Sequence, residues 1–372
     1  MASGTTTIYA FPYPVPADPV NVASDVQALA EKVESVLNTI ESEVESGNNY
    51  LINADLQINE RNASAIILNA DAQFPVDRFF VRRIGTTAAA SCLRTLTGGP
   101  TGIPVYLRIT RSGGSTSTDP LVIGQTIESA TSKTLAGKTV TFSFYARKSA
   151  GFSGAGSNLS VLLYTGTGTD QTGIGSGYTG SVSAINSTAT LTTSWQRFSY
   201  TATLQSTVNQ IQVLLSHTGV GTASNDAYEV AGFKLEVGST ASPFRLAGGG
   251  SYINELNLCR RYYERISADS SSSIVRYGSG FATSSTVGLL TIQYKVQKRA
   301  GIFGSGTNGL AILSALNNTT FGVASYSISQ NNKDSVTFSV TASGSSFTTG
   351  QYLELTSWNN TSGFLDYNAE II

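Results

Sequence analysis

The stretch Lys138-Thr139-Val140-Thr141-Phe142-Ser143-Phe144-Tyr145-Ala146-Arg147-Lys148 places Val140, Phe142 and Phe144 at every second position, with Thr141 and Ser143 between them. Successive side chains of a strand point to opposite faces, so this spacing makes one face for a core and one for polar surroundings. Similar runs follow outward along the chain: NLSVLLY at 158–164, WQRFSYTAT at 195–203, NQIQVLL at 209–215 and YEVAGFKLEV at 228–237. Turns rich in glycine, serine and threonine separate them, such as GFSGAGS (151–157) and YTGTGTDQTGIGSGYTG (164–180). Strands joined by turns, with no helical crossovers between them, predict an antiparallel β-sandwich, here over residues 49–246. In that sandwich Val140, Phe142 and Phe144 are expected on one sheet, facing Phe198 and Tyr200 on another. Leu135-Ala136-Gly137-Lys138-Thr139 is a turn feeding the first strand; the glycine spacing of a phosphate-binding loop and its following helix are missing.

Upstream, the pattern changes twice. In VNVASDVQALAEKVESVLNTIESEVES, the residues Val22, Val26, Leu29, Val33, Val36 and Ile40 recur at alternating spacings of four and three. That is a heptad seam, and β-branched residues dominate it, which favours three strands over two. The spacing predicts a coiled-coil helix over residues 21–48 that joins copies of the chain as a homotrimer; a lone amphipathic helix on a neighbouring domain is the alternative. Asn21 or Ser24 can cap its start, with Gln27 completing a Ser-x-x-Gln capping box, and Gly47, Asn48 and Asn49 form its stop. At about 1.5 Å per residue it is on the order of 35 to 40 Å long, the length of a stalk or connector. Ahead of it, residues 1–20 interleave Tyr9, Phe11 and Tyr13 with Pro12, Pro14, Pro16 and Pro19. Proline fixes its own φ and disfavours helix in the residue before it, so this segment is expected to be an extended arm. Tyr9, Phe11, Pro12, Tyr13 and Pro14 are the candidates for docking on a partner, or for folding back on the chain itself.

Downstream, a short glycine-rich stretch (247–250), expected to be flexible, precedes a second β-rich region, residues 251–372, with runs TVGLLTIQYKVQK, GLAILSAL, DSVTFSV and YLELTSW. A second, sandwich-like domain is expected there. Its cations Arg260, Arg261, Arg265, Arg276, Lys295, Lys298 and Arg299 read first as a solvated β-surface, and second as a contact for an acidic glycan or a neighbouring subunit. Tyr262, Tyr263, Tyr277 and Tyr294 could join such a contact. Trp195, Tyr352, Trp358 and Tyr367 are the candidates for stacking on a glycan or host surface, against the alternative of core packing.

Composition narrows the functions. The 372 residues are 40% hydrophobic and only 13% charged, with 23 cations against 24 carboxylates and a single histidine. The neutral total conceals a polarised chain: residues 25–45 hold six carboxylates against Lys32, which leaves 22 cations against 18 carboxylates elsewhere. Neither balance supplies a field for nucleic acid. No stretch of 18 apolar residues occurs, so membrane insertion is not expected, and the start MASGTTTIYAFPYPVPADP has no pattern of a secretory leader. Cys92 and Cys259 can pair or stand as buried thiols, the latter being favoured; with His217 they are too few for a zinc site, and no metal or cofactor is expected. His217 is read in a polar SHTGVG turn without a nucleophile motif, which argues against a hydrolase triad. Asp334, Glu354, Asp366 and Glu370 are carboxylates without the distinctive spacing of a glycosidase pair. No catalytic residue is assigned, and the chain is expected not to be an enzyme.

A family resemblance rests on particular stretches: Asn49-Tyr50-Leu51-Ile52-Asn53, Asp77-Arg78-Phe79, Leu135 to Ala146, Thr193-Ser194-Trp195-Gln196-Arg197-Phe198, Gly232-Phe233-Lys234-Leu235-Glu236-Val237-Gly238 and Glu255 to Tyr263. These resemble tailed-bacteriophage fibre and appendage proteins that carry a jelly-roll domain like a carbohydrate-binding module. The proline-rich start and the run Pro19 to Val33 resemble N-termini of tailed-phage structural proteins. The resemblance implies a virion protein: mainly β, with an extended arm and short coiled-coil helix followed by a jelly-roll-like sandwich and a second β-domain. Its implied partners are copies of itself, other tail or capsid proteins and a bacterial surface glycan. Where the family commonly has tryptophan, this chain has Phe79 and Tyr145, which keeps a core aromatic but removes a specific sugar-stacking role. Three functions follow in order: a fibre or appendage that attaches to the host; a decoration or connector protein whose β-domains bind other virion proteins; and, last, a polysaccharide depolymerase.

Overall fold

The structure, a computed structural model, describes residues 4–5, 11–13, 15, 21–46, 48–61, 65–85, 89–112, 117–219, 226–267, 275–301, 307–308, 310–314, 319–344, 347–357 and 363–371, with backbone alone described for 37–46, 307–308, 314 and 319. A small hairpin, β1 (Gly4–Thr5) with β2 (Pro12–Tyr13), precedes the 25-residue helix α1 (Val22–Ser46). Asn21 starts the helix: its side-chain Oδ1 accepts from Ser24 N at 3.3 Å, and its carbonyl accepts from Asp25 N at 3.1 Å. This satisfies donors that the first turn leaves without partners. Gln27 does not reach back to Ser24 as a capping box would; its amide donates forward to Glu31 at 2.8 Å. No helix among the described residues is long and apolar enough to cross a membrane.

The jelly-roll-like sandwich follows as β3 (Ala65–Ile67), β4 (Phe80–Arg83), β5 (Ala90–Thr95), β6 (Tyr106–Arg111), β7 (Leu121–Ile127), the short helix α2 (Ser129–Ser132), β8 (Thr139–Lys148), β9 (Asn158–Gly166), β10 (Val182–Thr190), β11 (Gln196–Thr203), β12 (Gln210–His217) and β13 (Asp226–Val237). They form two antiparallel sheets, ordered β10-β9-β12-β7-β4 and β11-β8-β13-β6-β5-β3. The alternation in β8 works as read: Val140, Phe142, Phe144 and Ala146 are fully buried between the sheets. One expectation is corrected. Phe198 and Tyr200 do not face Phe144 and Phe142 across the core but sit beside them in the same sheet, in register Phe198↔Phe144 and Tyr200↔Phe142. The strand β11 (196–203) is the antiparallel edge neighbour of β8, reached after two strands of the other sheet, and side chains directly opposite on paired strands share a face. Strand β13 breaks register between Ala231 and Lys234, where Gly232 adopts a φ of +59° that side chains with a Cβ rarely take. Cys92 and Cys259 are free and buried.

The helix α3 (Tyr252–Arg260) leads into β14 (Tyr263–Ser267), β15 (Arg276–Ala282), β16 (Val287–Gln293), β17 (Thr307–Asn308), β18 (Ala311–Ser314), β19 (Thr319–Asn331), β20 (Ser335–Ala342), β21 (Tyr352–Thr356) and β22 (Phe364–Asn368). Strands β15-β16-β20-β19-β18-β21 close into a barrel, and β14-β22-β17 form a separate three-stranded sheet. The expected second sandwich is thus a closed barrel, which removes the sheet edges that an open sandwich leaves. Gly280 permits the close approach of β15 to β16: a Cβ there would stand 1.8 Å from the Leu289 carbonyl oxygen. The 247–250 stretch is folded rather than free: Glu255 of α3 accepts hydrogen bonds from Gly248 N and Asn53 N, both at 2.5 Å, which ties the start of the C-terminal region to the sandwich.

Candidate functional site

Three places in the molecule could meet a partner: the helix seam, the sandwich surface and the barrel surface. On α1 the first four seam residues are exposed. Val22 is 68% exposed, Val26 59%, Leu29 40% and Val33 38%, while Val36 is half-buried. Ile40 lies on the helix, with its side chain outside the described set. Of the arm residues, Phe11 and Pro12 are half-buried and Tyr13 is exposed; Tyr9 and Pro14 lie outside the described residues.

The sandwich surface is largely closed by the chain itself. Trp195 is half-buried, its indole N–H donates to the Gly98 carbonyl at 2.9 Å, its ring meets Tyr106 edge-on at 5.5 Å, and the Arg147 guanidinium lies over it at 4.6 Å. Both ring edge and ring face therefore have partners already. On the five-stranded sheet, the outward Gln210 and Gln212 hold the loop between β9 and β10 down. Gln212 accepts from Gly175 N at 2.7 Å and donates to Gly173 O at 2.9 Å, and Gln210 accepts from Gln171 N at 2.9 Å and donates back to Gln171 O at 2.6 Å. Leu214 and Phe80 are buried under that cover, against Ile174 and Tyr164.

The barrel differs. Across β21-β15-β16 the register aligns Tyr352↔Phe281↔Leu289, and these outward residues are 38%, 58% and 37% exposed. The rings of Phe281 and Tyr352 meet at 6.0 Å and 73°, edge to face. The next outward row, Glu354↔Ser279↔Thr291↔Thr337, is polar. Glu354 pairs with Arg276 at 2.7 Å, and the hydroxyls of Thr291 and Thr337 bond to each other at 2.9 Å. Sequence reasoning found Tyr352 but missed Phe281 and Leu289. The signal for Tyr352 lies in its own strand, because YLELT alternates Tyr352 and Glu354 with the buried Leu353 and Leu355. Tyr367 is corrected: it is fully buried in the barrel-side core, edge-on to Tyr294 at 4.9 Å, and offers no surface to a sugar. Trp358 lies outside the described residues.

Of the cations expected on a solvated surface, Arg276 and Lys295 are exposed, whereas Arg260, Arg261, Arg265, Lys298 and Arg299 are at least partly buried and paired, several of them with the sandwich. Arg78 pairs with Glu370, both 1% exposed, and its guanidinium lies 3.5 Å from the Tyr262 ring. Arg61 bridges Glu370 at 3.1 Å and Asp77 at 3.3 Å, and stacks on Tyr263 at 3.6 Å. Arg261 pairs with Glu128 at 2.6 Å, Arg265 with Asp366 at 2.7 Å, Arg299 with Asp170 at 3.2 Å and Lys298 with Glu264 at 2.7 Å. Arg260 pairs with Glu60. Tyr262 and Tyr263 donate to Glu128 and Asp366, so burial and these carboxylates raise both phenols above their ordinary range. Burial pushes the Asp77 carboxyl up to about 7, with Arg61 acting in the opposite direction. A cleft of about 190 Å³ at this junction is lined by Asn49, Gln125, Arg78 and Tyr262, but the Asn49 and Gln125 amides are already bonded to backbone groups.

Among the described residues, none is arranged with His217 as a triad. His217 is not in a turn but ends β12, buried against Phe152 at 4.3 Å. Its Nε2 lies 3.0 Å from Asp226, whose other oxygen accepts from the Ser153 hydroxyl at 2.6 Å. The carboxylate stands between serine and histidine, whereas a nucleophilic serine needs the imidazole as its direct acceptor. Of the four carboxylates considered for a glycosidase, Glu354, Asp366 and Glu370 each have a cation partner of their own. Among the described residues no cluster of His, Cys, Asp and Glu is placed to hold a metal ion.

No family model matches the chain, and no curated protein matches it at a significant level. Solved structures similar to it include a CBM4 structure, 16% identical with a TM-score of 0.30 over 50% of this chain and 99% of that one. The family 11 carbohydrate-binding module of Clostridium thermocellum, in complex with a mixed-linked tetrasaccharide, is 12% identical with a TM-score of 0.29 over 48% of this chain and 99% of that one. The enzymatically active domain of tailspike protein 4 of bacteriophage CBA120 is 7% identical with a TM-score of 0.28, over 43% of this chain but only 19% of that one.

Proposed function

We propose that this chain is a structural appendage protein of a phage particle, joined in threes along α1, held to the virion by its N-terminal arm and presenting its β-domains to the host surface. The observation that carries the reading is the exposed seam. Val22, Val26, Leu29 and Val33 stand in water on a helix whose heptad spacing is that of a coiled coil. Water-exposed apolar side chains in a continuous row are stabilised by a partner surface, and identical copies supply one without further components. Valine and isoleucine at most of these positions favour three strands. The motif resemblance to fibre proteins supplies the setting.

The test is light scattering of the full chain at micromolar concentration. A mass near three times 39.0 kDa is expected, and Val26→Asp with Leu29→Asp should reduce it to one. A monomeric full chain overturns the assembly. Virions lacking the protein should lose both a three-fold appendage and adsorption; unchanged adsorption overturns the attachment role.

A further inference from the structure

We propose that the outer face of β21, β15 and β16 is a saccharide-binding platform on which Phe281 and Tyr352 stack against the rings of a neutral glycan. The inference rests on the attachment reading and assigns it to the barrel rather than the sandwich. Three observations carry it. First, the cross-strand row Tyr352-Phe281-Leu289 is solvent-exposed, although each strand also presents a buried set to the barrel core. Alternation alone could have placed polar residues there, as it does one row further on.

Second, the two rows have complementary chemistry. Aromatic rings take up the apolar C–H face of a sugar, and Ser279, Thr291, Thr337 and Glu354 lie beside them with hydroxyls and a carboxylate for its rim. Among the described residues the one cation of the face is Arg276, and Glu354 neutralises it at 2.7 Å, so these residues carry no net charge to favour an anionic ligand.

Third, the size fits a saccharide better than a protein. Two half-exposed rings and one leucine offer on the order of 200–300 Å² of apolar area. A standard protein interface needs about 800 Å² from each side. The corresponding options on the sandwich are closed: Trp195 is covered by Arg147 and bonded to Gly98, and the five-stranded sheet is covered by the loop that Gln210 and Gln212 hold. In a trimer the platform is present three times, which lets weak single sites hold a repetitive surface polysaccharide by avidity.

The test uses the full chain and neutral hexasaccharides of glucose, galactose, mannose and N-acetylglucosamine, read by saturation-transfer NMR. Transfer to ring C–H protons of at least one sugar is expected. Phe281→Ala should weaken that binding at least ten-fold and Phe281→Trp should preserve it, whereas Trp195→Ala should change it by less than two-fold. Phe281 is exposed, so the thermal midpoint of Phe281→Ala should stay at the parent value. Absence of transfer from all four sugars overturns the inference, as does binding that survives Phe281→Ala or is lost in Trp195→Ala. Light scattering on the same samples separates the two proposals. A trimer that binds none of the sugars removes the platform and leaves the appendage; a monomer that binds through Phe281 removes the trimer and leaves the platform.

Discussion

Arg61, Asp77, Arg78 and Glu370 lie between sandwich and barrel with little or no water around them, whereas Val22, Val26, Phe281 and Leu289 stand in solvent. Charge is usually outside and apolar surface inside, and each region reverses that order. At the junction Arg61, Arg78 and Glu370 each meet an opposite charge within the chain, and Glu255 meets the backbone N–H groups of Asn53 and Gly248. On the helix and the barrel face the apolar groups have no partner of comparable extent among the described residues. The contrast separates contacts that the chain completes alone from those left open for another molecule. It also accounts for the low charge of the surface: with 13% charged residues, a substantial part of the ionic side chains is committed to one internal seam.

The largest effect is expected from breaking that seam. Glu370→Ala leaves Arg78 as a buried charge without its carboxylate, and removing one member of a buried pair typically costs about 3–5 kcal/mol. Arg78 is further constrained, since its backbone adopts a φ of +73° that is costly outside glycine. Urea unfolding should show the loss for Glu370→Ala and for Arg78→Ala, and a smaller loss for Arg78→Met combined with Glu370→Leu, where no lone charge remains. A loss below about 1 kcal/mol for either single variant would break the comparison, because the seam would then behave as surface.

A pH-dependent effect comes next. Burial raises the Asp77 carboxyl from its ordinary 3.8 to about 7, so between these values the folded chain retains a proton that the unfolded chain has released. The folded state then binds more protons than the unfolded one, and stability falls as pH rises through this window. The contribution is fully present below 3.8 and lost by about 7. Asp77→Asn keeps a neutral acceptor for Glu60 N, now at 2.9 Å, and removes the titration. The stability of the parent relative to Asp77→Asn should decline from pH 4 to pH 7 and level off above it. An offset independent of pH would show that Asp77 is ionised throughout.

The two regions were unequally legible in the sequence. Alternation is a local signal, so the strands of the sandwich core and the heptad of α1 could be read from short windows, as Val140, Phe142 and Phe144 show. Pairing is not local. Glu370 meets Arg78 across 292 positions and Arg261 meets Glu128 across 133, and no window contains both partners. The same limit hid the barrel closure, which depends on β21 pairing with both β15 and β18. It also misassigned Tyr367, whose aromatic character was visible but whose burial depends on Tyr294 brought against it from β16's end. Tyr352 was found because its own strand alternates; Phe281 was missed because RYGSGFA is glycine-rich and shows no apolar period.

The smallest effect is expected where the two regions look most alike. Arg276 and Glu354 form an ion pair at 2.7 Å, as short as several in the junction, but the Arg276 side chain is 60% exposed. Water already solvates the guanidinium, so pairing gains little and removal strands no buried charge; exposed pairs are worth about 0.2–1 kcal/mol and often less. Arg276→Ala should therefore shift the urea midpoint by no more than about 0.5 kcal/mol in stability, and less still at high salt, where the Debye length shrinks to about 3 Å. Glu370→Ala should keep most of its cost in the same salt, because solvent ions do not reach a pair that is 1% exposed on both sides. Equal salt sensitivity of the two variants would mean that the junction opens in solution, and that the inversion of charge between inside and outside does not persist there.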